Sequence, residues 1–126
     1  MDFEQLFSRE YLSGVFPPER TNQFFDALFG DPDEGAYDIR MSFLSSTGNA
    51  LNFLFELHQR GNACLACNLT HGLPHVFRRH PVIDLNGVAE ALAKRAGWEK
   101  WEWELGSTEE ISRALHVIPL SIKKSG

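Results

Sequence analysis

The sequence has no long hydrophobic run, no excess of positive charge and no signal-peptide pattern at its start, and each absence argues against a class of protein. No segment approaches the roughly 20 apolar residues that a membrane-spanning helix needs. Acidic residues outnumber basic ones, 17 against 12, whereas a sequence-independent grip on nucleic acid needs a basic face. The opening residues, MDFEQLFSRE, lack the cationic start and apolar core of a signal peptide. We therefore expect a cytoplasmic protein that binds neither membrane nor nucleic acid.

The chain is rich in large aromatic residues. Ten Phe and three Trp occur among its 126 residues, and each large aromatic side chain can bury about 150–250 Å². A chain of this length is one domain by size, and it shows no internal repeat or linker. We predict a single α+β domain over residues 1–126, built around an aromatic core.

Three stretches in the middle of the chain alternate apolar and polar residues with a period of two. They cover residues 37–43, 51–57 and 63–69, and such alternation is typical of half-buried strands. The breaks between them contain Gly48 and Gly61, each followed by Asn, which suits tight hairpin loops. The pattern predicts a central three-stranded antiparallel meander.

Apolar residues recur with helical spacing on either side of these strands, and capping signals mark the ends. The spacing predicts helices over residues 3–11, 19–29 and 85–96, and a helical turn or an irregular loop over residues 75–80.

The C-terminal part of the chain predicts two more strands and a short helix. Residues 101–105 alternate again and read as a strand, whereas residues 107–110 have the form of a capping box and predict a short helix with Ile111 inside. Pro119 cannot donate to a ladder, so a strand over residues 116–122 is expected at a sheet edge. The element order predicts an α+β fold, an antiparallel sheet of four to five strands with helices mainly on one face.

Two cysteines and two histidines form the chain's densest group of metal-type residues. Cys64, Cys67, His71 and His75 have the residue types that zinc prefers. However, residues three apart in a strand point to opposite faces, so Cys64 and Cys67 would not meet. Finger-type sites also leave about twelve residues between the Cys pair and the His pair. We expect no metal and no cofactor, and these four residues are the candidates if one is bound.

The basic residues are concentrated at one place. His75, Arg78 and Arg79 could bind an anion, because Arg offers a planar bidentate fork, although a solvated loop end would read the same way. Glu56 and His58 share a strand face and could do acid–base work, but no nucleophile accompanies them. The sequence therefore offers no catalytic residues.

A resemblance to a known family lies in two runs of the sequence, FELHQRGNACLACNLTHGLPHVFRRHPVI and LHVIPL. In them the sequence resembles a family of small uncharacterised bacterial proteins, and the CLACNLT-x-GLP run is its most specific part. Some members of that family carry a pancreas/duodenum homeobox label. A homeodomain needs three helices and a basic recognition helix, which this acidic, strand-rich chain does not offer. The resemblance implies no activity and no site residue.

Two hypotheses about function follow. The first is a non-enzymatic binding or protein-interaction module whose partner is another protein or a second copy, as a homodimer. The second is a small metal-binding or thiol/histidine enzyme centred on residues 64–80. Side chains converging on a cleft would favour the second, and dispersed side chains on a sheet would favour the first.

Overall fold

A computed structural model describes residues 3–29, 37–60 and 73–125 of the chain. These residues form five helices and a five-stranded antiparallel sheet. The predicted α+β fold is confirmed. No helix in the described ranges is long and apolar enough to cross a membrane.

The helices precede, interrupt and follow the strands along the chain. The helices are α1 (Phe3–Leu6), α2 (Arg9–Val15), α3 (Pro18–Phe29), α4 (Leu73–Arg79) and α5 (Leu85–Arg95). The strands are β1 (Tyr37–Ser46), β2 (Ala50–Gln59), β3 (Trp101–Leu105), β4 (Glu109–Ser112) and β5 (Leu115–Lys124).

The sheet has the order β1-β2-β5-β3, and β4 also pairs with β5. The strand pairs β1–β2, β2–β5, β3–β5 and β4–β5 are all antiparallel. The third strand of the predicted meander, residues 63–69, lies outside the described residues. The edge of β2 that a meander would give to it is occupied by β5.

The prediction that the last strand lies at a sheet edge is wrong, because β5 is central. Pro119 is tolerated there because its nitrogen points away from the ladder with β2, to the side of β5 on which the regular pairing with β3 ends at Leu105. Its carbonyl accepts a hydrogen bond from the Gly106 amide at 2.8 Å, on the side of β5 away from β2. Within a strand the N and C=O of one residue point to the same side. Between the Leu105–Leu120 and Glu109–Val117 pairs the ladder is interrupted, so no amide is needed from the proline.

The short helix predicted after residue 106 is also wrong, since residues 109–112 form β4. Pairing with β5 overrides the local capping signal, and Ile111 is 59% exposed instead of buried. The first predicted helix is divided in two. Ser8 is the N-cap of α2 and its side chain accepts a hydrogen bond from the Tyr11 amide at 3.2 Å, which starts a new helix there.

The helix predicted over residues 85–96 is confirmed as α5. Asp84 caps its first turn by accepting from the Gly87 amide at 3.2 Å. At the other end Gly97 adopts a φ of 83°, and the Trp98 amide donates to the Ala93 carbonyl at 3.0 Å. This left-handed glycine closes the helix as its position in the sequence predicts.

The core lies between the helices and one face of the sheet. Phe53 and Phe55 of β2 are fully buried. The Phe7 ring packs edge-on against Phe53 at 5.1 Å, and Phe16 and Phe77 pack edge-on against Phe55 at 5.6 and 5.5 Å. Aromatic packing of this kind adds about 0.5–1.5 kcal/mol per pair to the burial of area.

Helix α3 closes part of the sheet edge formed by β1, at Ile39. The buried Thr21 hydroxyl lies beside Ile39, accepts from the Ile39 amide at 3.1 Å and donates to the Ile39 carbonyl at 3.4 Å. A helix side chain thus satisfies main-chain groups that would otherwise seek another strand.

Candidate functional site

Most of the candidate metal ligands lie outside the part of the chain that the structure describes. Cys64, Cys67 and His71 fall between residues 61 and 72, and His75 is exposed on α4. Among residues 3–29, 37–60 and 73–125, no group of three or more His, Cys, Asp or Glu side chains is placed to hold a metal ion. The metal or thiol/histidine enzyme therefore stays a prediction.

The three candidate anion-binding residues lie on α4 and are divided between two clefts lined by residues of the described ranges. His75 and Arg79 line an open cleft of about 360 Å³. His75 and Arg78 line a second cleft of about 360 Å³, and Glu104 adds a carboxylate to it. The Arg78 guanidinium is already engaged, because it donates to the Leu105 carbonyl at 2.7 Å. Only Arg79 and His75 of the three share a cleft without an acidic neighbour in its lining.

Glu56 and His58, predicted to share a polar sheet face, do interact. The His58 Nε2 lies 3.0 Å from the Glu56 Oε1, and the Arg9 guanidinium reaches both Glu56 oxygens at 3.4 Å. The Glu56 side chain is 11% exposed, and that of Arg9 is 69% exposed. Arg9 lies 47 residues away in the sequence, which is why the sequence pattern did not indicate it.

Burial and hydrogen bonding act in opposite directions on Glu56. Burial, the largest influence, raises the pKa of this carboxyl, whereas hydrogen bonds from His58 and Ser42 and the positive charge of Arg9 lower it. The net result is a pKa below the ordinary value of 4.5, so the carboxylate is ionised at neutral pH. Since Glu56 is engaged by three side chains, the cluster ties α2 to the sheet rather than offering a reactive group.

The main-chain direction of β3 follows from the hydrogen bonds of its neighbour. Along a strand, successive residues point their N–H and C=O groups to alternate sides. The Pro119 carbonyl faces Gly106, so residues 121 and 123 of β5 also face β3. They lie opposite Glu104 and Glu102, whose main-chain groups therefore face β5.

The remaining residues of β3 point their main-chain groups away from the sheet. These residues are Trp101, Trp103 and Leu105. The bond from Arg78 to the Leu105 carbonyl agrees with this direction and closes that end of the strand. In the described part of the chain, nothing pairs with the outward N–H and C=O groups of Trp101 and Trp103.

The side chains of this edge differ on its two faces. Trp101 and Trp103 are half-buried on the helix side and pack against the core, and the Trp103 indole donates to the Asn86 amide oxygen at 2.8 Å. Glu102 and Glu104 are exposed on the other face. We call residues 101–105 with these outward groups the free edge of β3. The alternation predicted this strand, but its place beside β5 could not be predicted from spacing.

Comparisons with known proteins do not indicate a function for the site. No protein-family model matches the chain, and no curated protein is similar enough to it to count as a relative. Among solved structures, a chain from "Modulating Heme Redox Potential Through Protein-Induced Porphyrin Distortion" is similar at 13% identity with a TM-score of 0.36. The match covers 90% of this chain and 55% of that one. A likeness this low implies neither a shared fold nor a shared function.

Proposed function

We propose that this protein is a non-enzymatic binding module that takes up an extended segment of a partner protein along the free edge of β3. One observation carries the proposal: the N–H and C=O groups of Trp101 and Trp103 point outward and have no partner in the described ranges. In strand addition such groups supply affinity, and the side chains beside them supply specificity.

The rest of the sheet perimeter is less suited to pairing. The β1 edge is occupied at Ile39 by Thr21, and its pairing with β2 is irregular toward the end of the strand. β4 is only four residues long and carries an irregularity between Glu110 and Ser112, a device that prevents edge pairing. β3 pairs with β5 in an unbroken register over its five residues, so its outer edge is regular enough to accept another strand.

The expected interaction is short and reversible. A five-residue edge offers few ladder bonds, and contacts smaller than about 1,200 Å² are typical of transient encounters. Each net hydrogen bond contributes about 0.5–1.5 kcal/mol. Affinity in the micromolar range is therefore expected for an isolated segment.

The test uses a neutral capped peptide of alternating Thr and Val, which has strong strand propensity and no charge. Titrated into ¹⁵N-labelled protein, it should shift the amide resonances of Trp101 and Trp103 and slow their hydrogen exchange. The same peptide methylated at its pairing nitrogens should have no effect, because it cannot form the ladder.

A matched pair of variants tests the same point from the protein side. Trp103→Pro removes the outward N–H, which no ladder bond to β5 uses, whereas Trp103→Val loses the same indole and keeps the N–H. Binding should be abolished in the proline variant and retained, more weakly, in the valine variant. Equal binding by the two variants, or equal binding of the methylated peptide, would contradict strand addition at this edge.

A further inference from the structure

We infer that the partner segment alternates basic and apolar residues, an inference that rests on the proposed function and specifies its partner. An extended segment paired with β3 presents its side chains alternately to the two faces of the sheet. Residues opposite Glu102 and Glu104 lie on the outer face, and residues opposite Trp101 and Trp103 lie on the helix side. The two faces of β3 therefore select two different kinds of residue.

The outer face selects positive charge. Glu102 and Glu104 are exposed, and in the described part of the chain neither takes part in an ion pair. Lys123 lies opposite Glu102 on β5, but only Ser121 lies opposite Glu104. Opposite charges across a strand pair contribute about 0.2–1 kcal/mol, and like charges destabilise it. Lys or Arg at these two positions of the partner would complete the pairs.

The helix side selects apolar side chains. Trp101 and Trp103 are half-buried, so part of each indole remains open to solvent beside the free edge. Trp103 is held in place by its hydrogen bond to Asn86. Rigid, partly exposed tryptophans are typical anchors of protein interfaces. An aliphatic residue of the partner would cover them.

The same charges disfavour a second copy of this chain as the partner. In a two-fold antiparallel pair centred on Trp103, Glu102 of each copy would lie opposite Glu104 of the other. The two like-charged pairs would stand on the same face, with no added cation between them. Negative charge at an edge prevents self-association and still admits a basic segment. The occupant is therefore a different, basic protein segment.

The test compares two capped peptides of equal length, one alternating Lys or Arg with Val and the other alternating Glu with Val. The basic peptide should bind roughly tenfold more tightly, and raised salt should reduce the difference, because the selecting charges are exposed. Affinity is measured by titration calorimetry or amide shifts. The variant Glu102→Lys with Glu104→Lys should reverse the preference, and Glu19→Lys with Glu90→Lys, on the exposed faces of α3 and α5, is the charge-matched control and should not.

The outcomes separate this inference from the proposal beneath it. If both charged peptides bind equally at the free edge, strand addition stands and the basic preference is overturned. If neither charged peptide nor the neutral one protects Trp101 and Trp103, the proposed function itself is wrong. A stable dimer in sedimentation, lost on charge reversal at Glu102 and Glu104, would identify a second copy as the partner and overturn the inference.

Discussion

The two outer edges of the sheet, formed by β1 and β3, differ in whether their main-chain groups have hydrogen-bond partners. At the β1 edge, Thr21 contributes a hydroxyl that both accepts from and donates to the Ile39 main chain, and its side chain is fully buried. At the β3 edge, the corresponding groups of Trp101 and Trp103 face outward with no partner in the described part of the chain. The β1 edge is closed at Ile39 by a side chain of the protein's own helix, whereas the β3 edge has no such contact at Trp101 or Trp103 in the described part of the chain.

In this protein a sheet edge is closed where a helix side chain lies opposite the outward main-chain groups of the edge strand, as Thr21 does beside Ile39. Around β1 that closure is reinforced from a second element, because Arg9 of α2 reaches Glu56 on β2. In the described part of the chain, the outward main-chain groups of β3 receive one bond from a helix side chain, from Arg78 to the Leu105 carbonyl, and it lies at the end of the strand. Charged side chains beside an uncovered edge discourage aggregation and still allow a suitable strand to pair with it.

The largest expected loss of stability comes from truncating one phenylalanine in the core of the sheet. Phe53 is fully buried and packs against Phe7 and Phe43. Phe53→Ala should reduce the free energy of unfolding by about 3–5 kcal/mol, measured by denaturant titration. Leu54→Ala, on the opposite face of the same strand, is the control and should cost about 1 kcal/mol. Equal losses would show that the two faces of β2 are not distinguished by burial.

Opening the closed edge should have the next largest effect. Thr21→Val keeps the shape of the side chain and removes the hydroxyl, which leaves the buried Ile39 amide and carbonyl unsatisfied. We expect a loss of about 2 kcal/mol in the free energy of unfolding and faster hydrogen exchange at Ile39. Thr21→Ser keeps the hydroxyl and should preserve the slow exchange. Unchanged exchange in the valine variant would show that Thr21 does not close this edge.

The ionic link from α2 to the sheet should make a smaller, pH-dependent contribution. Because the pKa of Glu56 is lowered in the folded state, its charge stabilises the fold above the ordinary value of 4.5, and this contribution is lost as the pH falls through the folded pKa. Glu56→Gln should therefore cost about 1 kcal/mol at neutral pH and nothing in strong acid.

The matched control is Glu90→Gln, which breaks an exposed pair with Lys94 at 2.7 Å and should cost no more than about 0.5 kcal/mol. Denaturant titrations across pH measure both variants. A cost for Glu56→Gln that persists unchanged below the folded pKa would contradict the assignment of this pH dependence to the carboxylate.

The sequence predicted what depends on neighbouring residues. The period of two predicted β1, β2 and β3 as strands with one apolar face, because alternation is a local property of the extended backbone. Gly97 follows the end of α5 and closes it, as C-capping preferences predict. These elements needed no knowledge of the rest of the chain.

What could not be predicted depends on distant partners. The position of β5 beside β2 joins residues about sixty apart, for example Leu57 and His116, and no local pattern encodes that choice. Pro119 predicted an edge because proline has no amide to donate to a ladder. The interruption beside Gly106, where no amide is needed, depends on where β3 and β4 pair with β5. The free edge of β3 likewise became evident only from the direction of its main chain relative to β5.

The smallest effect requires no mutation, because it is a difference in hydrogen exchange along one strand. The main-chain N–H groups of Glu102 and Glu104 point toward β5, whereas those of Trp101 and Trp103 point outward. In the free protein, exchange should therefore be slow at residues 102 and 104 and fast at residues 101 and 103, since only the first pair must wait for the ladder to open. The Ile39 amide, held by Thr21 at the opposite edge, should be slow and serves as the reference for a closed edge. Exchange followed residue by residue by NMR distinguishes these amides. Uniformly slow exchange from residue 101 to residue 104 would show that the outer side of β3 is already paired in the free protein, and the contrast between the two edges would then be wrong.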